Sequence, residues 1–119
     1  MIELLLILMP SGVSEGLIVA LSLIPARLTL TPGAGAITLV TSQFLHAGLV
    51  HLLANMIFLW AIGRPVEWVI GTGRVVVLYL VTGVAGGLVQ TLADPMSTIP
   101  VVGASGAISG LLAVYALLF

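Results

Sequence analysis

Seven charged side chains are all that this chain carries, and their placement constrains its fold more than any other feature. Glu3, Glu15, Arg27, Arg64, Glu67, Arg74 and Asp94 leave uncharged stretches from Leu28 to Gly63, from Val75 to Ala93 and from Pro95 to Phe119. A helix that crosses a bilayer needs about 20 predominantly apolar residues, and each stretch can hold one. Soluble domains are about 25% charged, whereas this chain is 6% charged and 61% hydrophobic, with a mean hydropathy of +1.34. Such a composition cannot cover a water-facing surface. The chain therefore reads as an all-α, polytopic transmembrane helical bundle, with the lipid bilayer as its surroundings. A net charge of -1 without a basic tail argues against a nucleic-acid partner. The absence of cysteine excludes disulfides, thiolate metal sites and a cysteine nucleophile.

Breaks in the apolar pattern divide the chain into residues 1–40, the end of a first helix plus an interfacial loop region, and residues 41–119, a partial core. Met1 to Met9 is apolar but stops at Pro10-Ser11-Gly12, short of a bilayer, and lacks the basic start of a signal peptide. It reads as the tail of an incomplete N-terminal helix. The abrupt stop from Leu111 to Phe119 likewise fits a piece of a longer protein. Gly16 to Ile24 is expected to form a short interfacial helix ended by Pro25, and Arg27 to Gly35 a loop. Three spans follow. The first starts between Thr41 and Gly48 and runs to about Gly63. A turn covers Arg64-Pro65 to Gly73-Arg74, with room for one helical turn over Pro65 to Ile70. The second span runs from Val75 to about Leu92. After the Asp94 to Gly103 loop, the third starts near Ala104 or Ser105.

Arg64 and Arg74 flank one inter-span loop, while the loop at Asp94 has no basic residue, so the positive-inside rule places the arginines in the cytoplasm. His51, Asn55 and Ser105 then all fall near the outer ends of their helices. Bare polar groups are costly in hydrocarbon and mark a buried site or an aqueous cavity. His51 and Asn55 are four residues apart and share a helical face. Interhelical hydrogen bonding accounts for that pair equally well. Ser105 sits in Gly103-Ala104-Ser105-Gly106, at a helix start where unpaired N–H groups and the positive dipole end would stabilise an oxyanion. Packing is the competing account here too, because Gly106 with Gly110, and Gly83 with Gly87, form small-residue pairs that let helices approach closely.

Taken together, these segments resemble the rhomboid intramembrane serine proteases. Phe44-Leu45-His46-Ala47-Gly48-Leu49-Val50-His51-Leu52-Leu53-Ala54-Asn55-Met56 is similar to that family's H-x-x-x-x-H-x-x-x-N helix. Gly103-Ala104-Ser105-Gly106 matches its G-x-S-G motif, and Gly63 to Glu67 with Gly71 to Arg74 resemble its cytoplasmic loop. The resemblance covers roughly Thr41 to Phe119 and is loose before that.

It implies an endopeptidase that cleaves transmembrane segments of membrane proteins without metal or cofactor. Ser105 would be the nucleophile, and His51, Asn55 and the Ser105 N–H the oxyanion hole. His46, Gly103 and Gly106 would support them. The location implied is a multi-pass membrane protein of a prokaryotic plasma membrane. Three departures stand out. The family's frequent Trp-Arg pair falls at Ile37 and Thr38, its frequent tyrosine four residues after the serine is Ser109, and no histidine follows His51. The family's general base is a histidine on a later helix, so these residues by themselves are expected to be inactive. The alternatives are an inactive relative that binds transmembrane segments without cutting them, which the intact serine motif disfavours, and a channel or transporter. The latter lacks any carboxylate or lysine in the spans.

Overall fold

The computed structural model describes residues 10–119. The helix end expected at Met1 to Met9 lies outside the described residues. Everything described is helix, turn or loop, apart from one isolated antiparallel bridge between Leu23 and Val101.

Four short helices come first: α1 (Ser11–Leu21), α2 (Pro25–Leu30), α3 (Pro32–Gly35) and α4 (Thr38–Thr41), followed by a 3-10 turn over Ser42–Phe44. The expected boundaries fail here in an instructive way. Pro25 and Pro32 punctuate by starting helices rather than stopping them, and Pro10 directly precedes α1. Pro25 and Pro32 occupy the first helical turn, where the missing N–H has no intrahelical partner to lose. The helix expected over Gly16 to Ile24 is therefore Ser11–Leu21, and the loop expected over Arg27 to Gly35 is two short helices.

Helices α5 (Leu49–Ile70) and α6 (Thr72–Ala93) have 22 residues each. At 1.5 Å per residue each is about 33 Å long, enough for the hydrocarbon core. The turn expected at Arg64 to Arg74 is the second correction. α5 continues through Pro65 to Ile70, and Gly71 alone separates it from α6. Proline is tolerated inside membrane helices because neighbouring groups re-satisfy the carbonyl it leaves unpaired. The one-residue reversal is possible because Gly71 has φ 86°, a value that side-chain-bearing residues rarely adopt. α7 (Ser105–Leu118) has 14 residues and starts where the sequence pattern placed it.

α7 packs most extensively on α6 and next on α5. Ile62 and Val66 of α5 and Leu111 of α7 form the buried apolar core. Little of either long helix is buried within the protein, and large apolar side chains face outward, among them Trp68 at 84% and Leu117 at 86% exposure. A soluble protein would bury such faces. This is a membrane protein whose outer surface is suited to lipid.

Candidate active site

Ser105 opens α7, directly after Ala104. The Ile108 N–H bonds back to the Ala104 carbonyl at 2.9 Å, so the first-turn N–H groups ahead of it have no intrahelical acceptor and gather at the serine. Gly103 enters this start with φ 122°. Space as well as conformation demands glycine there. A Cβ on Gly103 would lie 2.9 Å from His51 Cε1 and 3.1 Å from His51 Nε2. The α5 imidazole thus lies against the backbone that leads into the serine, and the structure brings the two sequence-distant motifs together. Among the described residues no hydrogen bond joins Ser105 to His51.

The hydrogen bond on the far side of the imidazole sets the tautomer of the neutral ring. The Ala47 N–H donates to His51 Nδ1 at 3.2 Å. Nδ1 is therefore an acceptor, and in the neutral ring the proton sits on Nε2, the nitrogen beside Gly103. Asn55 lies one turn further along α5 and is buried, with its Nδ2 donating to the His51 carbonyl at 2.8 Å. An amide nitrogen has two hydrogens, so one remains for another acceptor. His46 is buried before α5, with its ring edge-on to His51 at a centroid distance of 5.2 Å. Burial, and next the charge of His51, lower its pKa from the ordinary 6.5. His46 thus stays neutral at pH 7.

Gly106 lies where α6 and α7 almost touch. A Cβ on Gly86 would be 3.3 Å from Gly106 Cα. The close approach involves Gly83, Gly86 and Gly106. A Cβ on Gly87 would instead meet side chains of Leu23 and Leu39 at 3.0 Å, outside the α6–α7 seam. Ser109, at the position the family often fills with tyrosine, bonds its hydroxyl to the Ser105 carbonyl at 2.8 Å. Of the two residues at the Trp-Arg position, Ile37 is exposed, while Thr38 is buried and donates to the Gly35 carbonyl at 2.6 Å.

Ser105 and Gly103 also line a cavity of about 130 Å³, together with Leu23, Gln43 and Gln90. None of those last three was singled out from sequence. Gln43 is buried, its Nε2 donating to the Leu39 carbonyl at 2.9 Å, and its neighbour Ser42 accepts the Gly103 N–H at 2.9 Å. The signal available was a polar Thr41-Ser42-Gln43 triplet between Val40 and Phe44 in an otherwise apolar run.

The Rhomboid domain family model matches residues 33–119. RHOMBOID-like protein 5 of Arabidopsis thaliana is 45% identical over 74 residues, 62% of this chain and 24% of that protein. Rhomboid protease GluP of Bacillus subtilis is 41% identical over 74 residues, 62% of this chain and 14% of that protein. Rhomboid-related protein 3 of Homo sapiens is 38% identical over 76 residues, 64% of this chain and 18% of that protein. The chain thus spans less than a quarter of the length of each of these relatives. They come from a bacterium, a plant and a human, so they lend the prokaryotic expectation no support. No solved structure matches the chain significantly.

Proposed function

Because this chain belongs to the rhomboid family, which includes serine proteases, we propose that it forms the nucleophile and oxyanion half of an intramembrane serine endopeptidase. Its substrates are transmembrane segments of other membrane proteins. The protein is multi-pass, with Arg64 and Arg74 at the cytoplasmic side and Ser105 near the outer side.

In this reading Ser105 Oγ bonds to the scissile carbonyl carbon and gives up its proton to a general base. The carbonyl oxygen becomes an oxyanion held by His51 Nε2–H, the second Asn55 Nδ2 hydrogen and the Ser105 N–H. Collapse breaks the C–N bond, the leaving amine takes the proton, and water then hydrolyses the acyl-serine. The observation that carries this assignment is the Ala47 to His51 Nδ1 bond. It leaves a hydrogen on the nitrogen facing Gly103, which suits a donor to an oxyanion and disqualifies that nitrogen as the acceptor of the serine proton. The base is therefore a group other than His51, and family resemblance assigns it to a histidine on a later helix. An unactivated serine hydroxyl is a weak nucleophile without such a partner.

The test is cleavage of a transmembrane reporter by the full-length protein. Ser105→Ala is expected to abolish it. His51→Ala removes one oxyanion donor and is expected to slow it by about 10²–10³-fold, with Asn55→Ala affected less if the remaining donors compensate. Undiminished cleavage by Ser105→Ala would overturn the reading. It would favour the binding-only alternative if cleavage were traced to another protein.

A further inference from the structure

The segment Leu23–Thr29 lies before residue 33, where the match to the family model begins, yet it is hydrogen-bonded along the loop that delivers Ser105. Leu23 and Val101 exchange two backbone bonds, 3.2 Å from Leu23 N–H to the Val101 carbonyl and 2.7 Å in return. The Ala26 N–H donates to the Ser97 carbonyl at 3.0 Å, and Thr29 Oγ1 donates to the Pro95 carbonyl at 3.0 Å. The loop needs such support. Between Asp94 and Gly103 its only internal backbone bond among the described residues is Ser97 N–H to the Asp94 carbonyl, at 3.2 Å.

Leu23 contributes its side chain as well. It is 1% exposed, sits over Gly87 on α6, and forms part of the wall of the cavity that Ser105 lines. One residue therefore grips the loop with its backbone and α6 with its side chain. The corner that presents it is closed by Arg27, whose guanidinium donates to the carbonyls of Val19 and Ser22. From the other side Ser42 holds the Gly103 N–H.

We propose that Leu23–Thr29 is a clasp that positions the Ser105 loop, with Leu23 as its principal positioning residue. The proposal rests on the reading of Ser105 as nucleophile. Loosening the clasp leaves the catalytic groups intact but lets Gly103 and Ser105 drift relative to His51. Drifts of that kind are costly to rate, since misplacement by about 1 Å can lower it by about 10²-fold.

The chain has no cysteine, which makes a crosslinking test clean. Residues exchanging both bonds in an antiparallel pair have Cα atoms about 5.5 Å apart, within the range a disulfide spans. The double substitution Leu23→Cys with Val101→Cys in the full-length protein is expected to crosslink under mild oxidation. Reduced, it has lost the leucine from the Gly87 notch and is expected to cleave the reporter about tenfold more slowly at an unchanged KM. Oxidised, it is expected to regain most of the wild-type kcat. Thr29→Val, which deletes a single hydrogen bond, is expected to lower kcat by about threefold without moving KM, and covers the case in which the double variant folds poorly.

Failure to crosslink in a protein that still cleaves would overturn the clasp. So would wild-type turnover by both the reduced double variant and Thr29→Val. Loss of activity on oxidation would also overturn it, because the loop would then have to leave Leu23 during turnover. Crosslinking is scored without any cleavage assay, so a failure of the Ser105 reading, seen as cleavage by Ser105→Ala, remains separable from a failure of the clasp.

Discussion

Helix α7 is held along two seams built on opposite principles. Against α6 the contact is backbone to backbone. Gly86 and Gly106 approach so closely that a Cβ on the former would be 3.3 Å from the latter's Cα, and Gly110 lies directly against Thr82. Against α5 the contact is made by side chains, with Leu111 fully buried between Ile62 and Val66. In lipid, apolar side chains gain little by leaving their surroundings, so close packing and interhelical hydrogen bonds have to drive association. A glycine seam brings whole backbones into dispersion contact and tolerates little lateral play. A side-chain seam can repack by changing rotamers. Ser105, the proposed nucleophile, sits at the glycine end of this arrangement, next to Gly106, where little play is tolerated.

The largest effect on stability is expected in the backbone seam. A Cβ on Gly110 would collide with the hydroxyl, the β-carbon and the methyl of Thr82. Thr82 cannot swing aside cheaply, since its hydroxyl donates to the Leu78 carbonyl at 2.8 Å and its β-branch restricts rotation. Gly110→Ala should destabilise the protein by about 3 kcal/mol, the upper part of the overpacking range, measured by SDS titration in micelles. Adding Thr82→Gly moves the glycine across the seam and should restore most of the loss. No recovery in that double variant would show that the clash with Thr82 is not the cause.

Next comes the side-chain seam. Leu111→Ala should cost about 2 kcal/mol, the low end for buried leucine, because in lipid the cavity rather than water transfer supplies most of the penalty. Its reporter cleavage at a temperature where it stays folded should be close to wild type, since the seam can settle without moving Ser105. A marked fall in its kcat would mean that the side-chain seam, too, is coupled to the site.

A third substitution separates the glycines from one another. A Cβ on Gly106 would lie 3.6 to 3.8 Å from atoms of Gly86 and Gly83, an ordinary contact distance. Alanine is also favoured over glycine in a helix by about 1 kcal/mol. Gly106→Ala should therefore be neutral or mildly stabilising in the same titration, although Gly106 and Gly110 belong to one small-residue pair. Destabilisation comparable to Gly110→Ala would mean that the seam is uniformly tight.

These distinctions lie beyond what the sequence pattern could resolve. Charge scarcity and spacing were enough to identify the long apolar segments, the start of α7 near Ser105 and the convergence of His51 with the Gly103–Ser105 segment, because each depends on composition or on topology alone. The pairing of small residues marked α6 and α7 as helices able to approach a neighbour closely, and the two pack on each other. It could not tell that Gly86 faces the partner while Gly87 receives Leu23, since helices apolar on every side offer no periodicity to orient them. Helix boundaries were misread wherever proline stood at Pro10, Pro25, Pro32 or Pro65, because the same residue starts a helix, ends one or sits inside one according to its surroundings. Leu23 and Gln43 went unnoticed for a different reason. Their importance comes from contacts with residues some 80 and 40 positions away in sequence, at Val101 and Gly83, and nothing local marks them.

The smallest expected effect concerns neither seam but the histidine pair beside them. His46 is buried edge-on to His51, and its pKa lies below the ordinary 6.5, first through burial and then through the charge of His51. The unfolded chain therefore binds a proton at this position more readily than the folded protein does. Stability from a neutral His46 is complete above about pH 6.5 and is lost as pH falls from there through the lowered folded value. The SDS midpoint of the wild-type protein should consequently drop between pH 7.5 and pH 5. His46→Phe keeps a ring against His51 but cannot titrate, so its midpoint should depend less on pH over the same interval, even if its stability at pH 7.5 differs. Parallel pH profiles for the two proteins would assign the dependence to another group. A shallower profile for the phenylalanine variant would assign the dependence to His46 and to the burial that disfavours its charged form.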